Sequence, residues 1–150
     1  MATGGCRSIN SWAFLMRRFD QLFLGVVGVV FLGLGAFNLF SPVAGMAGFE
    51  MQIASVSALN EIRANYGGVH FALGLLFLSG AFLRALKVTA LLVVALFTGG
   101  LVLGRLLGLA LDGMPNLFVS GLFALEALGC TVAIVLYRRS WRAISGPGNA

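Results

Sequence analysis

Apolar residues fill four long stretches of the chain, Leu22–Phe40, Tyr66–Leu83, Val88–Leu111 and Leu117–Tyr137, and most charged positions fall between or beyond them. Each stretch is close to the roughly 20 residues that a helix needs to cross about 30 Å of hydrocarbon. None shows the period-two alternation of a membrane β-strand. A helix satisfies its own backbone hydrogen bonds where water is absent, so helical spans are the economical reading. The pattern therefore predicts an all-α protein, an integral membrane four-helix bundle running up-down-up-down. Its helices fall at about 22–40, 66–83, 88–111 and 117–137. A cytoplasmic segment (1–21) precedes them and a basic cytoplasmic tail (138–150) follows.

The basic residues orient this bundle. Arg7, Arg17 and Arg18 precede the first stretch, Arg84 and Lys87 fill the link between the second and third, and Arg138, Arg139 and Arg142 follow the fourth. The opposite ends carry Glu50, Glu61 and Asp112, with only Arg63 and Arg105 nearby. The positive-inside rule places both termini in the cytoplasm, as an even number of spans requires. The first stretch is longer than the roughly 7–15 apolar residues of a secretory signal, so it reads as a retained helix. Two links are tight: the one at Arg84 and the turn Asp112-Gly113-Met114-Pro115-Asn116. Both imply antiparallel neighbours. The longer segment 41–62 fits both an interfacial helix and an extended loop, because Phe49, Ile53 and Val56 keep helical spacing while Phe49, Met51 and Ile53 alternate. The last residues, from Ser145 to Ala150, read as a disordered tail.

Composition agrees with a lipid environment. The chain is 59% hydrophobic and 10% charged, against about 25% charged residues in a soluble domain. The net charge of +5 sits beside apolar runs, as topogenic signals do, so nucleic acid is not an expected partner. Cys6 lies near the N-terminus and Cys130 inside an apolar run, which argues against a disulfide between them. No Cys/His grouping suggests a metal, and no cofactor is implied.

Small residues recur at helical spacing. Gly100, Gly104 and Gly108 form a ridge on the third helix, and Gly67 and Gly74 lie on the second. In lipid such residues let backbones approach, so these positions are expected to pack against neighbouring helices, within one bundle rather than between two. Gly104→Leu is then expected to overpack.

Polar residues within the apolar runs are the candidate chemistry. Asn60, Arg63, Gly67, His70 and Gly74 fall at i, i+3, i+7, i+10 and i+14, a stripe down one side of the second helix, with Tyr66 slightly off it. Arg105 and Asp112 share a face of the third helix, and Glu126 lies near the middle of the fourth. An ionisable group at mid-membrane costs roughly 2.5–3.5 kcal/mol and is expected to face the bundle interior with a partner. Arg105 with Glu126 is the expected pair. The cluster Asn60, Arg63, Tyr66, His70, Arg105, Asp112 and Glu126 reads either as a ligand or proton site or as an ion-pair network that fixes packing. Glu50 and Glu61 read as solvated.

The stretch Asn60-Glu61-Ile62-Arg63-Ala64-Asn65-Tyr66-Gly67-Gly68, with Gly104-Arg105, Asp112-Gly113-Met114-Pro115 and Glu126, resembles a family of small bacterial four-helix membrane proteins known only as a domain of unknown function. The resemblance covers about residues 20–137. It implies the fold, adds to the interest of the polar cluster and carries no activity; the expected location is the inner (plasma) membrane, with several passes. A looser likeness to DoxX-type four-helix proteins, some linked to redox complexes, is one of fold only. Three functions fit these features. The preferred one is a non-catalytic accessory subunit or scaffold of a membrane complex, acting on the bilayer side through a membrane protein partner or a second copy of the chain. The alternative is an intramembrane enzyme or binding protein for an apolar molecule such as a lipid, sterol-like compound or quinone. Acid–base groups support it, without a nucleophile motif. The third, a proton or solute carrier, lacks a detectable inverted repeat.

Overall fold

In the computed structural model the backbone is described for residues 5–145 and side chains for residues 18–145. The side chains of Cys6, Arg7 and Arg17, and the tail beyond Ser145, lie outside what is described. The elements in chain order are α1 (Gly5–Phe40), α2 (Pro42–Met46), a 3-10 turn (Ala47–Phe49), α3 (Val56–Ile62), a π-helical segment (Arg63–Val69), α4 (His70–Phe82), α5 (Arg84–Asp112) and α6 (Leu117–Ser145). No strand occurs among the described residues. Three helical stretches, Arg18–Phe40, Arg84–Asp112 and Leu117–Ser145, are long and apolar enough to cross a membrane. The fourth apolar run is divided between the π-helical segment and the shorter α4.

The helix ends follow from local chemistry. α1 stops at Phe40, just before Ser41-Pro42. A residue preceding proline is disfavoured in the α region, and Pro42 is itself suited to the first turn of α2. Ser55 caps α3 by accepting a hydrogen bond from the Ala58 amide at 3.1 Å. Gly113, with φ of 91°, ends α5, and Asn116 Oδ1 caps the start of α6 by accepting from Val119 N at 2.9 Å. Segment 41–62 thus resolves into short helices joined by a left-handed residue, Glu50 (φ 55°), and an irregular stretch that ends at extended Ser55. Helices also reach beyond the apolar runs. α1 begins at Gly5, α5 at Arg84, and α6 continues past Tyr137 to Ser145.

Taken in chain order, the longer helices α1, α4, α5 and α6 each pack antiparallel to the one before. A Cβ added at Gly74 would lie 2.6 Å from Leu32 N, and one at Gly67 would lie 2.8 Å from Leu39 Cγ, so α1 and the helix facing it touch almost backbone to backbone. α5 meets α6 with Ala95 beside Cys130 and Arg105 beside Glu126. Leu24, Phe77, Ala81, Leu91, Val94, Ala133 and Leu136 close a tight core at the end of the bundle that carries Arg84 and Arg139. Outward positions are equally apolar: Leu22, Val26 and Val29 on α1, Leu96, Leu103 and Leu107 on α5, and Leu125 and Leu128 on α6 are all exposed. Helices that are apolar on both faces suit a lipid surround.

Gly100 and Gly104 depart from the packing expected of them. A Cβ at either would meet nothing within 4 Å, and one at Gly108 would reach only Asp112 Oδ2, at 3.9 Å. Among the described residues no helix faces the ridge in contact. Backbone contact is made instead by Gly67 and Gly74, together with Gly28 and Gly35 on α1.

Candidate functional site

Where the ridge meets no helix, the bundle is hollow. A cavity of about 660 Å³ opens at the loop end, opposite the tight core. Leu34, Phe37 and Asn38 of α1 form one wall, Gly100, Gly104 and Arg105 of α5 another, and Phe118, Leu122 and Glu126 of α6 a third. Tyr66 and His70 complete the ring, and Met46, Gly48 and Phe49 form the cover. Missing side chains at Gly100 and Gly104 make the space. The volume falls in the range of about 300–1,000 Å³ usual for small-molecule sites.

The polar wall is organised by one ion pair. Arg105 Nε donates to Glu126 Oε2 at 2.5 Å, and Arg105 Nη2 donates to Oε1 at 2.8 Å. Both side chains are largely covered, at 21% and 14% exposure. A fork-to-fork pair of this kind is strong and directional. It leaves the apolar cavity with a polar, nearly neutral patch.

His70 stands where the π-helical segment ends. Its Nδ1 lies 3.1 Å from the Asn65 carbonyl oxygen. A carbonyl only accepts, so the neutral ring carries its proton on Nδ1. Nε2 is left as an acceptor with no hydrogen-bond partner among the described residues. The ring is held by stacking on Phe31 (centroids 5.4 Å apart) and Tyr66 (6.1 Å), with Phe97 edge-on at 5.5 Å. No hydrogen bond joins His70 to Glu126. They line different sides of the cavity.

The structure brings Tyr66, His70, Arg105 and Glu126 to the cavity and leaves Asn60, Arg63 and Asp112 outside it. Asn60 is exposed. Arg63 turns to α1, its Nε donating to Leu39 O at 3.1 Å. Asp112 is exposed at the end of α5. The stripe requires an unbroken α-helix, whereas the wider turns of Arg63–Val69 rotate what precedes them relative to His70. Glu50 and Glu61 are exposed, as expected, and each also accepts a hydrogen bond, Glu50 Oε1 from Asn116 Nδ2 at 2.9 Å and Glu61 Oε1 from Asn65 Nδ2.

Some lining residues have no mark in the sequence pattern. Asn38 is 6% exposed, donates through Nδ2 to Leu34 O at 2.8 Å, and has no donor for its Oδ1. Phe49 and Phe118 meet edge-to-face at 5.4 Å over the cavity mouth. A lone Asn within an apolar run was the available signal for the first. The second depends on how 41–55 folds back.

No metal-holding group of three or more His, Cys, Asp or Glu occurs among the described residues. No curated protein and no solved structure matches the chain. The family model described as "Domain of unknown function (DUF4345)" matches residues 19–137, a span that includes α1 from Phe19, the whole cavity wall and α6 as far as Tyr137; the chain belongs to that family.

Proposed function

We propose that this is a multi-pass inner-membrane protein that binds an apolar small molecule carrying a hydrogen-bonding group, in the cavity walled by α1, α5 and α6. The observation that carries the reading is the 660 Å³ space itself. It is lined mainly by apolar side chains, and polar residues from four elements line it as well: the Arg105–Glu126 pair, Tyr66, and His70, whose Nε2 has no hydrogen-bond partner among the described residues. Apolar sites with a few orienting polar groups are the usual form of a small-molecule site. A hydroxyl of a lipid, sterol-like compound or reduced quinone has the donor that His70 Nε2 lacks.

The membrane arrangement behind this proposal has four spans and cytoplasmic termini. The helical path from Val56 to Phe82 lies against the membrane-length α1 and supports a fourth span. Arg84, Lys87, Arg138 and Arg139 cluster at the opposite end from the cavity, which supports cytoplasmic termini and an outward-facing site.

The test is purification of the full chain in mild detergent followed by extraction and mass spectrometry. A retained apolar molecule that is lost in Gly104→Leu, a variant that fills the cavity, supports the proposal. A stoichiometric protein partner with nothing extractable from the cavity would support the accessory-subunit reading instead.

A further inference from the structure

A second pocket, of about 360 Å³, lies at the basic end and shares no lining residue with the cavity. Arg84, Lys87 and Arg139 line it together with Asp20. The Asp20 carboxylate is 2% exposed. Its Oδ2 accepts from Lys87 Nζ at 2.9 Å, while Arg139 Nη2 stops 3.6 Å from Oδ1. That Oδ1 is buried without a hydrogen-bond donor. Arg84 has no ion pair among the described residues.

Three cations and one carboxylate therefore line the same pocket. Moreover, α5 begins at Arg84 with neither a side-chain cap nor an acid in its first turn. A helix start carries partial positive charge and favours anions, yet here Arg84 and Lys87 add further positive charge to it. Excess positive charge thus surrounds a pocket that also contains one buried acceptor in need of a donor. Phe82 and Ile144, both exposed, form an apolar rim.

We infer that this pocket holds a phosphodiester headgroup that also bears a hydrogen-bond donor, an ammonium or a hydroxyl. The phosphate sits against Arg84, Lys87 and the first turn of α5, and the donor satisfies Asp20 Oδ1. Basic pockets between membrane helices recognise lipid headgroups by the same chemistry. Asp20 holds Lys87 in place, and Arg84 supplies charge that no ion pair among the described residues neutralises.

Native mass spectrometry of the full chain tests this with three lipids. Phosphatidylethanolamine and phosphatidylglycerol carry a donor beside the phosphate, and phosphatidylcholine does not. The first two should be retained several-fold better than the third. Arg84→Ala should lower their retention about fivefold while keeping the melting temperature, since it breaks no ion pair. Competition by soluble glycerophosphoethanolamine would identify a free phosphodiester as sufficient, and its failure to compete would require the lipid. Gly104→Leu should leave this binding intact, which separates it from the apolar cavity. Equal retention of all three lipids, or wild-type retention in Arg84→Ala, overturns the inference.

Discussion

Arg105 grips Glu126 through two hydrogen bonds, Nε to Oε2 at 2.5 Å and Nη2 to Oε1 at 2.8 Å, across the interface of α5 and α6. Removing one member of a covered pair strands the other charge, which typically costs about 3–5 kcal/mol, whereas replacing both by apolar residues can be neutral. Glu126→Gln and Arg105→Met should each lower the melting temperature in detergent. The double variant Arg105→Met with Glu126→Leu should recover most of the loss. If the pair serves the cavity, this recovered variant should still fail to retain the apolar ligand. Wild-type melting in both single variants would show that the pair contributes little.

Two glycines should behave oppositely. Gly74 faces Leu32 N, with a Cβ placed at 2.6 Å, so Gly74→Leu forces α1 and α4 apart and should cost at least the roughly 1–3 kcal/mol of an overpacked core. Gly104 faces open space, so Gly104→Leu should fold and melt near wild type while emptying the cavity of ligand. A severe folding defect in Gly104→Leu would mean that another helix or a second chain covers the ridge.

Asp20 is the anchor of the basic end. Asp20→Asn leaves Lys87 and Arg139 without their carboxylate and should lower the melting temperature, by up to about 3–5 kcal/mol of stability. Adding Lys87→Met to Asp20→Asn should restore part of it. Differential scanning fluorimetry of the single and double variants would read both effects.

Topology can be measured directly. Reporter fusions after Ala150 should read as cytoplasmic and insertions at Gly113 as external. A C-terminus on the outer face would exclude the four-span arrangement.

Much of the helical architecture can be read from the sequence because lipid imposes simple rules. Runs such as Val88–Leu111 and Leu117–Tyr137 have no non-helical way to satisfy their backbone in hydrocarbon, and the turn Asp112–Asn116 declares itself through Gly113 and Pro115. The Arg105–Glu126 pair is legible for a similar reason, since a charge within an apolar run must find a partner.

What the sequence pattern leaves undecided depends on distance along the fold. Gly100 and Gly104 have the same spacing whether they pack or gape. Only the placement of α1 and α6 leaves them facing a cavity. The π-helical turns of Arg63–Val69 rotate Asn60 and Arg63 away from His70, a local winding that periodicity does not encode. Asp20 looks like an ordinary acid before the first span until Lys87 and Arg139 arrive from α5 and α6 and bury it. Hydrophobic pattern and charge bias, both properties of single segments, determined the helices and their expected orientation. Tertiary structure decided which small residues touch and which polar ones meet, because those depend on the packing of several helices at once.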